Sequence, residues 1–357
     1  MYRPRPRRQT LRLGLLAALV VLALSACGGG GQDANKKKSE SGGSAPTNGQ
    51  IVFRRYFNPD QTEGALFTMN SDGSHIRQVT HPPKGWRDNV PAWSPDGRRI
   101  TFERFKSDES TSRIMVVNPD TGDTRTVVPC TRRCVYAIDP YFSPDGHSIA
   151  YSRSVDGPPY SAIFIVGIDG SDPHQVTTTP KRHKGELSTE PTDPVFSPNG
   201  KMLTFIRTNY QKKNDPNAVF VRPIGSPQDA HRITPWKLNS QDRPTFSPDG
   251  KLVLFRSEPK GEEGPSNLYW VHPDGTGLHQ ITHAPADKRY LGSSFAPSFH
   301  KGEGWVTVGR TGGYGKEGNA DVFRILIEDG KVVREVNLTK SEKWESAPGW
   351  GTHPPVS

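Results

Sequence analysis

The sequence predicts an all-β protein: a six-bladed β-propeller of four-stranded antiparallel blades, closed by a composite blade built from both ends of the folded chain. Three observations lead there. Among 357 residues there are 36 glycines and 33 prolines, while apolar residues reach only 32%, a composition that suits many short strands and tight turns and argues against helical bundles. One motif recurs along the chain at a period near fifty residues. Each period holds four short β-type segments with no helical periodicity between them, the pattern of a propeller blade.

The N-terminus comes first. Residues 1–12 carry Arg3, Arg5, Arg7, Arg8 and Arg12 and no acid, and Leu13 to Leu24 is an unbroken stretch of small and apolar residues. That is the basic head and apolar core of an export signal, too short for a bilayer-spanning helix of about 20 residues. Leu24-Ser25-Ala26-Cys27 resembles the bacterial lipobox, where small residues admit the signal peptidase ahead of an acylated cysteine. The expectation is a lipoprotein signal peptide over 1–26, lipidation of Cys27, and attachment to the outer face of the bacterial cell membrane. Arg7-Arg8-Gln9-Thr10-Leu11 resembles a twin-arginine signal, so both export routes stay open. Residues 27–49 are rich in Gly, Ser and Lys, lack aromatics, and read as a tether that buries nothing. Removing residues 1–26 takes away five arginines and no acid, which lowers the formal charge from +9 to +4. The remaining signs are interspersed, so no nucleic-acid partner is expected.

The repeat fills residues 50–352, with 353–357 as a tail. Pro91-Ala92-Trp93-Ser94-Pro95-Asp96-Gly97 recurs with its aromatic at Phe142, Phe196 and Phe246, and in decayed form at Phe295 and Trp350. The aromatics are 49, 54, 50, 49 and 55 residues apart. Ser-Pro-Asp-Gly closes a hairpin, because proline pre-sets φ, the aspartate bonds its own backbone and the glycine accepts a left-handed conformation. The returning strand is Ile100-Thr101-Phe102 and its equivalents; a third strand is seen in Ile114-Met115-Val116-Val117, and a fourth in Gln78-Val79-Thr80 and His279-Gln280-Ile281-Thr282. Residues 51–80 supply strands two to four of a blade, and the segment around Pro348-Gly349-Trp350 supplies a first strand. Joined, they leave no open sheet edge.

These residues resemble the TolB-type propeller repeat, also called PD40, over essentially all of 51–352. The resemblance implies the fold. TolB itself carries an additional N-terminal α/β domain, for which this chain has no room, and serves a periplasmic complex with an outer-membrane lipoprotein. The same repeat type occurs in non-catalytic propellers of prolyl-oligopeptidase-like hydrolases and in oligogalacturonate lyases.

Function is expected on one face. The Ser-Pro-Asp-Gly turns and the turns after strand three are short and share a side; the connections at 179–193, 206–217, 256–266 and 309–320 are long, varied and lie on the other, where binding is expected. Arg55, Arg104, Arg153, Arg207, Arg256 and Arg310 follow the aromatic of strand two, with Arg256 displaced by one. Asp88, Asp139, Asp193, Asp242 and Glu345 precede the first strand of the hairpins, whereas the fifth repeat has Leu291-Gly292-Ser293 there. Two readings stand: arginine–carboxylate pairs that tie blades together, or a charged funnel for a peptide terminus, a carboxylated sugar or a phosphate. Cys130 and Cys134 are expected to form a disulfide in an oxidising compartment, with metal ligation by the two thiols as the alternative. His81, His183 and His283 fall in loops of the favoured face and are the candidate metal ligands; otherwise no cofactor is expected.

Catalytic motifs are lacking. Gly292-Ser293-Ser294-Phe295-Ala296 does not form a strand-to-helix nucleophile elbow, and neither a His-Glu-x-x-His nor a phosphate-cradling loop is present. The sequence therefore points to a membrane-tethered extracytoplasmic propeller that binds a protein or peptide on its loop face without catalysis. The alternative is a carbohydrate-active lyase or hydrolase that uses charged loop residues and a metal.

Overall fold

The computed structural model describes residues 49–131, 134–155, 161–177, 191–209, 216–226, 230–259, 265–285, 287–312 and 319–357. The predicted signal peptide, Cys27, most of the tether and His183 lie outside the described residues. The fold is an all-β propeller of antiparallel four-stranded blades. Strands β1 (Gln50–Tyr56), β2 (Gly64–Asn70) and β3 (Arg77–Gln78) come first. Then follow β4 (Trp86–Trp93), β5 (Ile100–Lys106), β6 (Ser112–Val117) and β7 (Thr124–Val128) in one sheet, and β8 (Cys134–Phe142), β9 (Ser148–Val155), β10 (Ser161–Gly167) and β11 (His174–Gln175) in the next. The third is β12 (Pro191–Phe196), β13 (Met202–Thr208), β14 (Asn217–Pro223) and β15 (His231–Arg232); the fourth is β16 (Ser240–Phe246), β17 (Val253–Ser257), β18 (Asn267–Val271) and β19 (His279–Gln280). The chain ends with β20 (Tyr290–Phe295), β21 (Gly304–Thr311), β22 (Ala320–Glu328), β23 (Lys331–Asn337) and β24 (Trp344–Gly351).

Four blades stand as separate four-stranded sheets, where the sequence predicts six. The remaining eight strands share one sheet, because a single parallel pair, Ala320↔Trp344, fuses β20–β23 to the group formed by β24 and β1–β3. In that group β24 lies beside β1 antiparallel, with Gln50↔Gly351 and Ile51↔Trp350 in register. The C-terminal strand thus takes the place that β4, β8, β12 and β16 hold in their own sheets.

The recurring motifs have local causes. In each Ser-Pro-Asp/Asn-Gly turn the serine hydroxyl donates to Oδ1 of the Asp or Asn, as Ser94 Oγ to Asp96 Oδ1 at 2.6 Å, and accepts the amide of the returning strand, as Arg99 N at 2.9 Å. Ser143, Ser197 and Ser247 repeat this, and Gly97, Gly146, Gly200 and Gly250 all hold φ near +70°. A Cβ on Gly146, Gly200 or Gly250 would meet the turn proline of the preceding repeat at 3.6–3.8 Å, so the motif also nests one sheet against the next. The fourth strands are often only two residues long, and a threonine extends them. Thr80, Thr177, Thr234 and Thr282 each accept a strand-three amide at 2.8–3.0 Å, from Leu66, Ile163, Val219 and Leu268, where the ladder would otherwise stop.

Burial follows the same plan. The buried apolar side chains form six clusters, each straddling two successive repeats, for example Ile114, Phe142 and Tyr151, or Phe53, Trp305 and Trp350. The clusters lie between successive repeats, one of them inside the eight-stranded sheet, so losing one repeat exposes two clusters.

Candidate functional site

Every first strand carries a bulge at the same height. Its apex has positive φ: Val90 at 46°, Asp139 at 56°, Asp193 at 55°, Asp242 at 59°, Gly292 at 82° and Ala347 at 51°. A proline follows Val90, Asp139, Asp193 and Ala347, and the paired register skips there. In β16 the skip spans Asp242, Arg243 and Pro244, one residue more than elsewhere. That extra residue absorbs the one-position displacement of Arg256, which pairs with Gln241 as Arg104 pairs with Asp88.

The sequence places the five acids at one position; the structure divides them. Asp88 and Glu345 stand before the bulge, directly across from Arg104 and Arg55. Asp88 is fully buried and holds Arg104 through two bonds of 2.6 and 2.9 Å; Arg55 donates to Glu345 at 2.6 Å. Burial pushes both carboxyls above their ordinary pKa against the pull of their arginines. Asp139, Asp193 and Asp242 are instead the bulge apices and face the next repeat. Asp139 accepts the amide of Asp193 at 3.4 Å, and Asp242 accepts that of Gly292 at 3.0 Å. Asp242 also takes Arg256 in a two-bond pair of 2.5 and 2.9 Å, and Glu258 completes that site by pairing with Arg256 and Arg289. Arg310, which has no acid in β20, turns outward to Glu335 of β23 at 2.5 Å.

Arg153 and Arg207 remain. Opposite them in the ladder stand Ala137 and Pro191, and among the described residues neither arginine has a carboxylate partner. Arg153 lies over the Phe164 ring at 5.4 Å, and Arg207 over Phe205 and Phe220 at 5.2 and 5.1 Å. Burial, and then the charge of Arg222, lowers the Arg207 pKa to about 10. Two half-buried guanidinium groups on consecutive sheets thus meet the loop face with no ion pair among the described residues.

Two residues of the central space were missed in the sequence. Glu103 of β5 accepts the amide of Asp139 at 3.0 Å, which extends the chain of bulge carboxylates to four. Arg243, the additional bulge residue of β16, reaches across to β4 and donates to the carbonyls of Val90 and Pro91 at 3.2 and 3.1 Å. It passes over Tyr141 at 5.5 Å and leaves beside it a cavity of about 50 Å³, room for a water or two. Arg243 is also a cation shared by Glu103, Asp139 and Asp193. Its one sequence signal is Asp242-Arg243-Pro244 where the two preceding repeats read Asp-Pro.

Burial outweighs that cation. It raises Glu103, with a further push from Asp193, and Asp139, with a further push from Glu103, and it lifts Asp193 to about 8 with help from Asp139 and Asp242. The folded state therefore keeps protons that the unfolded chain releases near pH 4, and stability falls as pH rises from about 4 to about 8. The turn carboxylates Asp96, Asp145 and Asp249 are lowered, and their contribution is lost only in acid. The melting temperature is expected to be higher at pH 5.5 than at pH 8.5. Asp193→Asn, which tolerates the left-handed backbone, should flatten that slope; a wild-type midpoint that climbs across this range would contradict the assignment.

His81 and His283 are exposed in loops, and no group of three His, Cys, Asp or Glu among the described residues is arranged to hold a metal. Cys130 and Cys134 are joined by a disulfide. It closes a short loop before β8.

The fold and its turns define a β-propeller of Ser-Pro-Asp-Gly repeats. Residues 42–206 match the family described as PD40, the TolB beta propeller domain. Among solved structures, TolB from Acinetobacter baumannii is similar at a TM-score of 0.60 and 21% identity, over 86% of this chain and 67% of that one. A protein assigned as TolB in Agrobacterium tumefaciens gives 0.53 at 18% identity, over 87% and 99%. A chain of the nidogen/laminin complex gives 0.56 at 10% identity, over 86% and 100%. At these identities the likeness is one of fold. No curated protein matches the chain by sequence.

Proposed function

We propose that this chain is an exported, lipid-anchored six-bladed propeller that binds an acidic segment of a protein partner on its loop face and catalyses no reaction. The six-blade count takes β20–β23 as one blade and β24 with β1–β3 as another, a division supported by the six inter-repeat clusters. Export and anchoring rest on the basic head, apolar core and lipobox that end at Cys27.

Binding rests on one observation: Arg153 and Arg207 are the two members of the arginine set without a carboxylate among the described residues. A guanidinium over an aromatic ring keeps its donors oriented and is suited to a carboxylate fork. An acidic peptide would supply the two carboxylates that Asp139 and Asp193, turned to the next repeat, do not bring to these arginines.

The test compares partner capture by the wild type, by Arg153→Ala/Arg207→Ala, and by Arg98→Ala/Arg99→Ala on the opposite face. Losing two charged hydrogen-bonding groups should weaken the specific partner by about tenfold or more, with the Arg98/Arg99 variant unaffected. Equal capture by all three would remove the arginine pair from the interface, and uronate cleavage with formation of a double bond would replace the binder by a lyase. Cys27→Ser should release the protein from the membrane fraction; continued sedimentation with membranes would dismiss the lipid anchor.

A further inference from the structure

A second site lies between the β16–β19 sheet and β20–β23. A cavity of about 460 Å³, within the size range of small-molecule sites, runs along the fourth strands over the cluster that joins the two sheets. One wall is β19 with the residues that continue it to 285; the other is the start of β23. His279 pairs with Trp270, and Ala284 donates its amide to Asn267 Oδ1 at 2.6 Å, so this wall covers three residue steps of β18, about 10 Å.

The cations stand at the two ends. At the turn end, His279 Nε2 donates to the Gly330 carbonyl at 2.8 Å, and Lys331 follows. Lys331 is exposed and has no ion pair among the described residues; Glu328, opposite it in the ladder, does not line the cavity. At the loop end, Lys288 packs its Nζ on Gly312, and Arg310 lies over Phe323 at 4.2 Å. Their acids, Asp287 and Glu335, also stand outside the lining. Between the ends the floor is apolar, with Ile281 from the cluster and Ala284 and Val332 packed against it. The backbone of the β19 wall is already engaged. Gln280 donates its side-chain amide to the Thr282 carbonyl at 2.8 Å, and Ile281 and Thr282 give their amides to Leu268. An added peptide strand would find those groups taken, which leaves charge and apolar contact as what the site offers.

We infer that this cavity binds an α,ω-dicarboxylate with a long methylene chain, one carboxylate at Lys331 and the other at Lys288 and Arg310. Cations set that far apart are not both met by one compact anion, whereas the apolar floor between them shelters a chain from water. The site lies on other sheets than Arg153 and Arg207 and is independent of the partner proposed for them.

Sebacate is the probe, read by calorimetry and by ligand-detected NMR on the whole protein at pH 7.5. Decanoate, the same ten-carbon chain with one carboxylate, and succinate, two carboxylates on a short chain, are the comparisons. Sebacate is expected to saturate one site, with decanoate about tenfold weaker for want of one charge-assisted contact and succinate weaker still. Lys331→Ala and Lys288→Ala should each erase the advantage of sebacate over decanoate and leave the melting temperature close to that of the wild type, since both are surface changes. Either variant decides alone if the other folds poorly. The inference is overturned by no saturable binding of sebacate, by decanoate or succinate binding as tightly, or by an unchanged sebacate-to-decanoate ratio in either folded variant.

Discussion

Arg243→Met is expected to cost about 3–5 kcal/mol, the loss typical of leaving buried charge without its partner, and to lower the melting temperature by on the order of 10 °C at pH 8. Methionine matches the length of the side chain and fills much the same space, so little of the effect is packing. What disappears is the cation shared by Glu103, Asp139 and Asp193 and the pair of bonds to Val90 and Pro91 on β4. The sign of the pH dependence identifies the cause. With the carboxyls protonated at pH 5, the variant should recover much of the difference, because neutral acids no longer need the guanidinium. An equal loss at pH 5 and pH 8 would assign the effect to the carbonyl bonds alone.

Truncation before Trp344 is expected to abolish cooperative folding. β24 supplies Trp350 to an inter-repeat cluster, Glu345 to Arg55, and the ladder partner of β1. Without it, β1 becomes an open edge and Ile51 and Phe53 lose the cover of Trp350. A chain ending at Gly351 should behave differently. It keeps the strand and loses only the tail, in which His353 stacks on Trp93 at 5.2 Å and meets the Gly97 carbonyl at 2.8 Å, while Val356 and Asn70 exchange bonds of 2.8 and 2.9 Å. That loss should be a few degrees in melting temperature with the transition still sharp. A broad, non-cooperative transition in the shorter form and a sharp one in the longer would locate closure in β24; two sharp transitions would refute it.

The turns, the four-strand period and the pairing of the two chain ends were legible because each is local chemistry repeated. A serine, an Asp or Asn and a glycine at fixed offsets dictate the hairpin wherever they occur, and four full copies with two decayed ones make the period visible. The site was legible only in part. The arginines share one register, as their spacing indicates, but their partners do not. Asp88 lies five residues before Trp93 and Asp139 three before Phe142, so the first stands ahead of the bulge and the second at its apex, and that offset decides whether a carboxylate meets an arginine or the next repeat's amide. Arg243 was invisible for another reason. Its acceptors lie 152 and 153 residues away, and no neighbouring residue hints at them.

The place of β24 also bears on how the protein folds. The strand that seals the ring lies about 290 residues along the chain from its ladder partner, so β1 keeps an uncovered flank until residues 344–351 dock. Closure therefore couples the two most distant strands of the described fold, and the ring locks only when both are in place.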